Sequence, residues 1–193
     1  RVYYDENVDR VASRGGDYRE IPQSGAEIIG FTDMRALTEL VTLAAEALPV
    51  IGDGCVLTLS DMSVPAEAAE KFALSDGALD DFRNRRAGAL GMVAGGEALT
   101  DILSVGGEPA SAAARLRVIS EKYGLRSAAG FAGFLDSLPP ARCSVSVDMS
   151  LSDDAAYYNG LVMRGYAPGV SAPVLRGGRY DMVLKKMGVS GYG

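Results

Sequence analysis

The stretch Tyr157-Tyr158-Asn159-Gly160-Leu161-Val162-Met163-Arg164-Gly165-Tyr166 decides how the chain reads, and Gly177-Gly178-Arg179-Tyr180-Asp181 answers it downstream. Two adjacent tyrosines and an Asn-Gly lead into an extended apolar run, and a Gly-Gly-Arg-Tyr-Asp turn follows. The combination suggests a small polar ligand held on a β-sheet floor. Just before it, Ser144 to Leu151 alternates: Val145, Val147, Met149 and Leu151 face one way, and Ser144, Ser146, Asp148 and Ser150 the other. Asp153-Asp154 makes a turn, so Tyr157 to Tyr166 is expected to pair back as the next strand, with Tyr157 and Tyr158 on opposite faces. Ala167-Pro168-Gly169 turns again. A helix is expected from Tyr180 to Met187, ended by Gly188.

Residues 1 to 30 read as a β-hairpin. Val2 and Tyr4 alternate with Tyr3 and Asp5, the glycine-containing segment from Val11 to Asp17 reads as a mobile loop, and Tyr18 to Gly30 is the return strand. Pro22 lacks an N–H donor, which requires an edge or a bulge there. Gln23, Gly25 and Glu27 share one face by the period of two. That face is either an exposed polar surface or the floor of a ligand site. Residues 33 to 48 carry an apolar helical stripe of Leu37, Leu40, Val41, Ala44, Ala47 and Leu48, closed by Pro49. Cys55 to Ser60 reads as a buried strand. Residues 61 to 138 change to Ala- and Gly-rich short helices, expected over 66–74, 79–90, 97–105, 109–123 and 130–138. This section reads as a helical insertion in one β-rich domain. Arg83, Arg85 and Arg86 could touch phosphate, but Asp80 and Asp81 neutralise much of that charge and favour a solvated helix face.

The 193 residues carry 48% hydrophobic and 23% charged side chains, the balance of a globular domain. No apolar run spans a bilayer and no signal pattern stands at the start, so the expected location is cytoplasmic, with no membrane partner. The chain opens on Arg1 and already reads as a strand there, as the middle of a longer protein would, with the N-terminal part of the domain absent. It has no histidine, which excludes Ser-His-Asp and Cys-His catalysis and histidine-based metal sites. Cys55 and Cys143 have no metal spacing and read as reduced thiols. A net charge of −6 argues against a polyanion partner, so tRNA binding is not expected. No phosphate-binding glycine loop is present.

Three segments resemble one family. Arg10 with Gln23-Ser24-Gly25-Ala26-Glu27, Tyr157-Tyr158-Asn159-Gly160, and Gly177-Gly178-Arg179-Tyr180-Asp181 stand in the order found in the catalytic domain of histidyl-tRNA synthetase and its paralogue, the regulatory subunit of ATP phosphoribosyltransferase. The resemblance implies an α+β fold, the class II aminoacyl-tRNA synthetase-like antiparallel sheet flanked by helices. It implies histidine binding by Arg10, Gln23, Glu27, Tyr157, Tyr158 and Tyr180. Gln23 would accept from the α-ammonium and Glu27 from an imidazole N–H. Tyr158 is the favoured ring contact, Tyr180 a second wall, and Arg10 would lie near a carboxylate or phosphate.

Two departures from the synthetase pattern matter. The activating arginine that precedes the paired tyrosines there falls on Asp153, which would repel a carboxylate and a phosphate. The glutamate two residues after the motif arginine falls on Ala12. Retained recognition beside lost activation matches the regulatory paralogue. That reading implies no catalytic residue, no cofactor or metal, assembly of a homodimer with a short-form catalytic subunit, and inhibition by histidine. The alternatives are a divergent histidine–tRNA ligase or its fragment, using ATP, and a histidine-sensing module with another partner.

Overall fold

The computed structural model describes residues 1–11, 18–30, 33–151, 157–188 and 191–193. The strands β1 (Val2–Val11) and β2 (Tyr18–Glu27) form an antiparallel ribbon, with Val2 opposite Glu27 and Tyr4 opposite Gly25. Pro22 sits opposite Asn7, in a ribbon where every strand is an edge. The return strand stops at Glu27, short of the expected Gly30; Gly30 instead makes an isolated bridge to Tyr192. No residue of either ribbon strand is buried.

A second sheet has five strands in the order β4 (Gly106–Gly107), β5 (Ser144–Asp148), β3 (Val56–Asp61), β6 (Leu161–Tyr166) and β7 (Leu175–Gly178). The expectation of an antiparallel sheet needs one correction: β3 and β5 are parallel. The reason is the helical section between them, a crossover long enough to return the chain in the same direction. A second correction concerns β6. It does not pair back onto β5 but lies between β3 and β7, and it starts at Leu161. Tyr157 to Gly160 precede the strand as a turn.

The period of two separates the faces of this sheet. Leu57, Leu59, Val147, Leu161 and Met163 enter the main core. The helix α1 (Met34–Ala47) covers that side, capped by Asp33, whose carboxylate accepts from the Ala36 N–H at 2.9 Å. Its buried positions are Ala36, Val41, Ala44 and Ala45, followed by Leu48 in a 3-10 turn, Leu48–Val50. Ala47, expected in the stripe, is exposed, because 41, 44, 45 and 48 already complete the helical repeat. Gly165 lets this layer approach closely: a Cβ there would stand 2.5 Å from Leu48 Cδ2.

The helical section comprises α2 (Ser63–Lys71), α3 (Asp76–Arg83), α4 (Ala87–Leu90), α5 (Gly96–Leu103), α6 (Pro109–Tyr123) and α7 (Arg126–Ser137). The single helix expected over 79–90 is two, broken where Arg85 takes φ 57°. Phe82, Leu90, Leu99, Ile102, Leu116, Leu125 and Phe131 join the same core as Leu57 and Leu59. Arg83 pairs with Asp80 at 2.7 Å and Arg86 with Asp81 at 3.0 Å, as the charge pattern suggests. The helix α7 starts at Leu125 with no capping side chain of its own; Glu67 of α2 reaches across, accepting from the N–H groups of Arg126 and Ser127 and from the Ser127 hydroxyl. Cys55 and Cys143 are free thiols, Cys55 buried and Cys143 half-buried. The last helix, α8 (Asp181–Lys186), ends before Gly188 at φ 71°. No helix among the described residues is long and apolar enough to cross a membrane.

Candidate functional site

Four of the six residues singled out from sequence meet in one place. Tyr180 donates its hydroxyl to Glu27 Oε2 at 2.8 Å, tying the end of β2 to the turn after β7. The Tyr157 ring lies 5.8 Å from that of Tyr180 and 4.8 Å from that of Tyr158, nearly perpendicular to the latter. Because the two adjacent tyrosines belong to a turn and not to a regular strand, they do not diverge to opposite faces as expected. Tyr157, 42% exposed, contacts the Tyr180 ring. Tyr158 packs inward against Met62, Leu151 and Val162. Its ring also covers Gly178, where a Cβ would lie 2.7 Å from it.

The remaining two form a second group with a residue that the sequence reading passed over. Arg10 donates to Gln23 Oε1 at 2.7 Å, and Gln23 Nε2 donates to the Tyr4 hydroxyl at 2.7 Å. Tyr4 stands opposite Gly25, and a Cβ on Gly25 would collide with the Tyr4 ring at 2.4 Å. The glycine between Gln23 and Glu27 therefore makes room for an aromatic ring from the neighbouring strand. Cross-strand register was the signal that could have found Tyr4, since an aromatic opposite glycine lies over it. Both ends of the Gln23 amide are engaged, with one lone pair on Oε1 to spare.

The two groups adjoin. Burial pushes the Tyr180 hydroxyl well above the usual phenol range, reinforced by its bond to Glu27 and by the nearby Tyr157 and Tyr4. The phenol therefore stays protonated and acts as a donor. Glu27 offers its second oxygen to another partner. A carboxylate beside aromatic rings is suited to a cationic or N–H-donating group.

Asp181 holds the tyrosine loop in place. It accepts from Arg179 Nε at 2.8 Å, Asn159 Nδ2 at 3.2 Å and the Gly193 N–H at 3.1 Å, while its own N–H donates to Asn159 Oδ1 at 3.1 Å. The Asn159 N–H bonds the Arg179 carbonyl at 3.0 Å, and Arg179 lies over the Tyr192 ring at 5.1 Å. Asp153 and Ala12, where the sequence departs from an activating enzyme, lie outside the described residues, as does the expected Val11 to Asp17 loop apart from Val11, which ends β1. Among the described residues no cluster of carboxylates and cysteines could hold a metal ion.

Comparison with known proteins gives the family and the fold of the chain. A regulatory subunit of ATP phosphoribosyltransferase from Moorella thermoacetica is 33% identical over 97% of this chain and 52% of its own length. The chain thus spans about half the length of the curated relatives it matches. A crystal structure from Bacillus halodurans, described as an ATP phosphoribosyltransferase regulatory subunit/histidyl-tRNA synthetase, superposes with a TM-score of 0.79 at 18% identity, covering 99% of this chain and 54% of that one. An ATP phosphoribosyl transferase (HisG:HisZ) complex from Thermotoga maritima gives 0.63 at 16% identity, covering 93% and 67%. These likenesses establish the expected α+β, synthetase-like fold. The family model for histidyl-tRNA synthetase matches residues 1–192, and the chain belongs to that family.

Proposed function

We propose that this chain belongs to a regulatory, non-catalytic subunit of ATP phosphoribosyltransferase that binds histidine. The observation that carries the proposal is the pairing of a kept recognition group with a lost activation group. Tyr180 bonds Glu27, the Tyr157 ring lies against the rings of Tyr180 and Tyr158, and no second hydrogen bond to the Glu27 carboxylate is found among the described residues. Asp153 and Ala12 stand where an activating synthetase has an arginine and a glutamate. Glu27 would accept from an imidazole N–H, with Tyr157 and Tyr180 as walls, and Gln23 with Arg10 and Tyr4 would face the amino-acid end. The likeness to regulatory subunits over nearly the whole chain supports this reading.

The partner would be a separate catalytic subunit, and the regulatory chain would form the homodimer core of the assembly. Inhibition by histidine would follow from linkage: histidine must bind one assembly state more tightly than another. The subunit would need no cofactor of its own and would work in the cytoplasm. The section over 61–138 would be an insertion within one domain, since its helices share the sheet's core.

The family model favours a second reading, a histidine–tRNA ligase. Histidine-dependent ATP–pyrophosphate exchange by the full-length protein separates the two. The regulatory reading expects none, together with activation of a short catalytic subunit on mixing; robust exchange overturns it.

A further inference from the structure

Cys55 and Cys143 are far apart in sequence and side by side in the fold. The parallel pairing of β3 and β5 sets Val56 opposite Ser144 and Leu57 opposite Val145. One residue earlier, Cys55 stands beside Cys143, and the Ser144 N–H bonds the Cys55 carbonyl at 3.3 Å. The period of two puts both side chains on one face. Cys55 leads to Leu57 and Leu59, Cys143 leads to Val145 and Val147, and all of them belong to the main core or pack against it. Neighbouring strands run about 4.8 Å apart, and disulfides join Cα atoms about 4.4–6.8 Å apart. The backbone thus already holds the two cysteines at bridging separation.

The surroundings of the two thiols differ. Cys55 is buried, while Cys143, just before β5, is half-buried and reachable from solvent. Burial pushes the Cys143 thiol up, the N–H groups of Leu57 and of Cys143 itself oppose this, and the Cys55 thiol and the Glu46 carboxylate add to it. A Cys143 sulfur that feels both the Leu57 N–H and the Cys55 thiol is turned toward β3. The Cys55 S–H donates to the carbonyls of Leu48 at 3.5 Å and Gly52 at 3.2 Å. These bonds are weak, because a thiol is a poor donor. Neither carbonyl depends on them: Leu48 also accepts from the Ile51 N–H at 3.0 Å, and Gly52 is exposed. Loss of the Cys55 proton therefore strands no buried polar group.

We propose that Cys55 and Cys143 form a thiol–disulfide site, oxidised by a small-molecule disulfide such as oxidised glutathione. The Cys143 thiolate attacks one sulfur of that disulfide, a mixed disulfide forms, and the first small thiolate leaves. The Cys55 thiolate then attacks the Cys143 sulfur, the mixed disulfide breaks, and the second small thiolate leaves. The protons of both protein thiols end on the two small thiols. Two electrons pass from the protein to the oxidant, so that two protein thiols become one disulfide and one small disulfide becomes two thiols. The new bond closes the chain around the whole helical section from α2 to α7, and a cross-link around a long loop stabilises by restricting the unfolded chain. Because Cys143 titrates above the ordinary thiol value, the first step is slow at neutral pH and quickens as pH rises.

The test is incubation of the folded full-length protein with oxidised glutathione, then acid quenching, alkylation of the remaining thiols and non-reducing peptide mapping by mass spectrometry. The expected product is a peptide pair joined through Cys55 and Cys143. It should form faster at about pH 8 than at about pH 7 and revert to two free thiols with dithiothreitol. Cys55→Ser should instead retain glutathione on Cys143, because the second step has no nucleophile. Recovery of both cysteines alkylated and unlinked from the wild type overturns the proposal. So does a stable glutathione adduct on wild-type Cys143, a link from either cysteine to another chain, or a Cys55–Cys143 link that forms only in denaturant. Where the buried serine substitution impairs folding, the wild-type map decides alone.

Discussion

The Tyr180 hydroxyl and Glu27 Oε2 are 2.8 Å apart and 153 residues apart in sequence, and their bond joins the β1–β2 ribbon to the five-stranded sheet. Removing it by Tyr180→Phe should cost about 1–2 kcal/mol, measured by urea denaturation. The pH dependence has a definite sign. Burial, and then Glu27, raise the folded-state value of Tyr180 above that of an unfolded tyrosine. Its contribution is therefore complete below about pH 10 and is lost as pH rises through the folded value. The gap between wild type and Tyr180→Phe should be constant through neutral pH and shrink only in strong alkali.

The cap that Glu67 supplies to α7 gives a second test at the acid end. Burial opposes ionisation of Glu67, but the hydroxyl and N–H of Ser127 and the N–H of Arg126 outweigh it, and the carboxyl titrates below the ordinary glutamate value. Glu67→Ala should cost about 1–2 kcal/mol at neutral pH, as loss of a helix cap does. A depressed carboxylate stabilises above its unfolded value and stops doing so as pH falls through its folded one. Below about pH 4 the variant and the wild type should converge, within whatever range the fold survives.

Glycines at two places should respond oppositely to a methyl group. At Gly165 a Cβ would press on Leu48 at 2.5 Å and on Leu175 Cβ at 2.9 Å. Gly165→Ala should destabilise by about 1–3 kcal/mol through overpacking between α1 and β6. At Gly130, an exposed position within α7, nothing lies within 4 Å of the added carbon. Gly130→Ala should stabilise by about 0.5–1 kcal/mol by removing backbone freedom from the unfolded chain. Thermal melting of both variants checks the pair.

Asp181→Asn should loosen the tyrosine loop without unfolding the sheet. The change removes the charge that orders Arg179 and disturbs the reciprocal bonds with Asn159. This chain has no tryptophan, so its near-ultraviolet circular dichroism is dominated by its tyrosines. The variant should lose part of that signal while keeping its far-ultraviolet spectrum, at a stability cost of about 1–3 kcal/mol. Undiminished near-ultraviolet ellipticity would show that Asp181 does not order the loop.

Local periodicity carried most of the fold. The ribbon, α1, β3, β5 and the helices of the 61–138 section follow from alternation, helical spacing and the breaks at Gly and Pro. What it did not carry was which strand lies next to which. The alternation of Ser144 to Leu151 identifies a strand but is silent on its neighbour, and hairpin logic favoured β6 where β3 is the partner. Long-range pairing depends on core shape across the sheet, and no short window of sequence encodes that. The site shows the same division. Gln23 and Glu27 share a face as the period of two requires, while Tyr4 was missed because its importance comes from standing opposite Gly25. Tyr157 and Tyr158 were placed as strand residues, and the turn brings their rings together instead.

The ribbon without a buried residue has a thermodynamic consequence. Its two strands contribute nothing to the main core, and a lone hairpin is marginal in water. Its contacts with the body include Arg1 with Glu39 at 2.5 Å, Tyr180 with Glu27, and the Gly30–Tyr192 bridge. Detaching it is therefore among the lowest-energy excursions open to the fold. A ligand held between Glu27 and the sheet would draw its binding free energy partly from closing that excursion. Amide hydrogens of Val2 to Val11 and Tyr18 to Glu27 should then exchange more slowly in its presence, while those of β3 stay as they were. Ligand occupancy would be converted into the rigidity of a hairpin with two 10-residue strands, a signal that a partner subunit could read by touch.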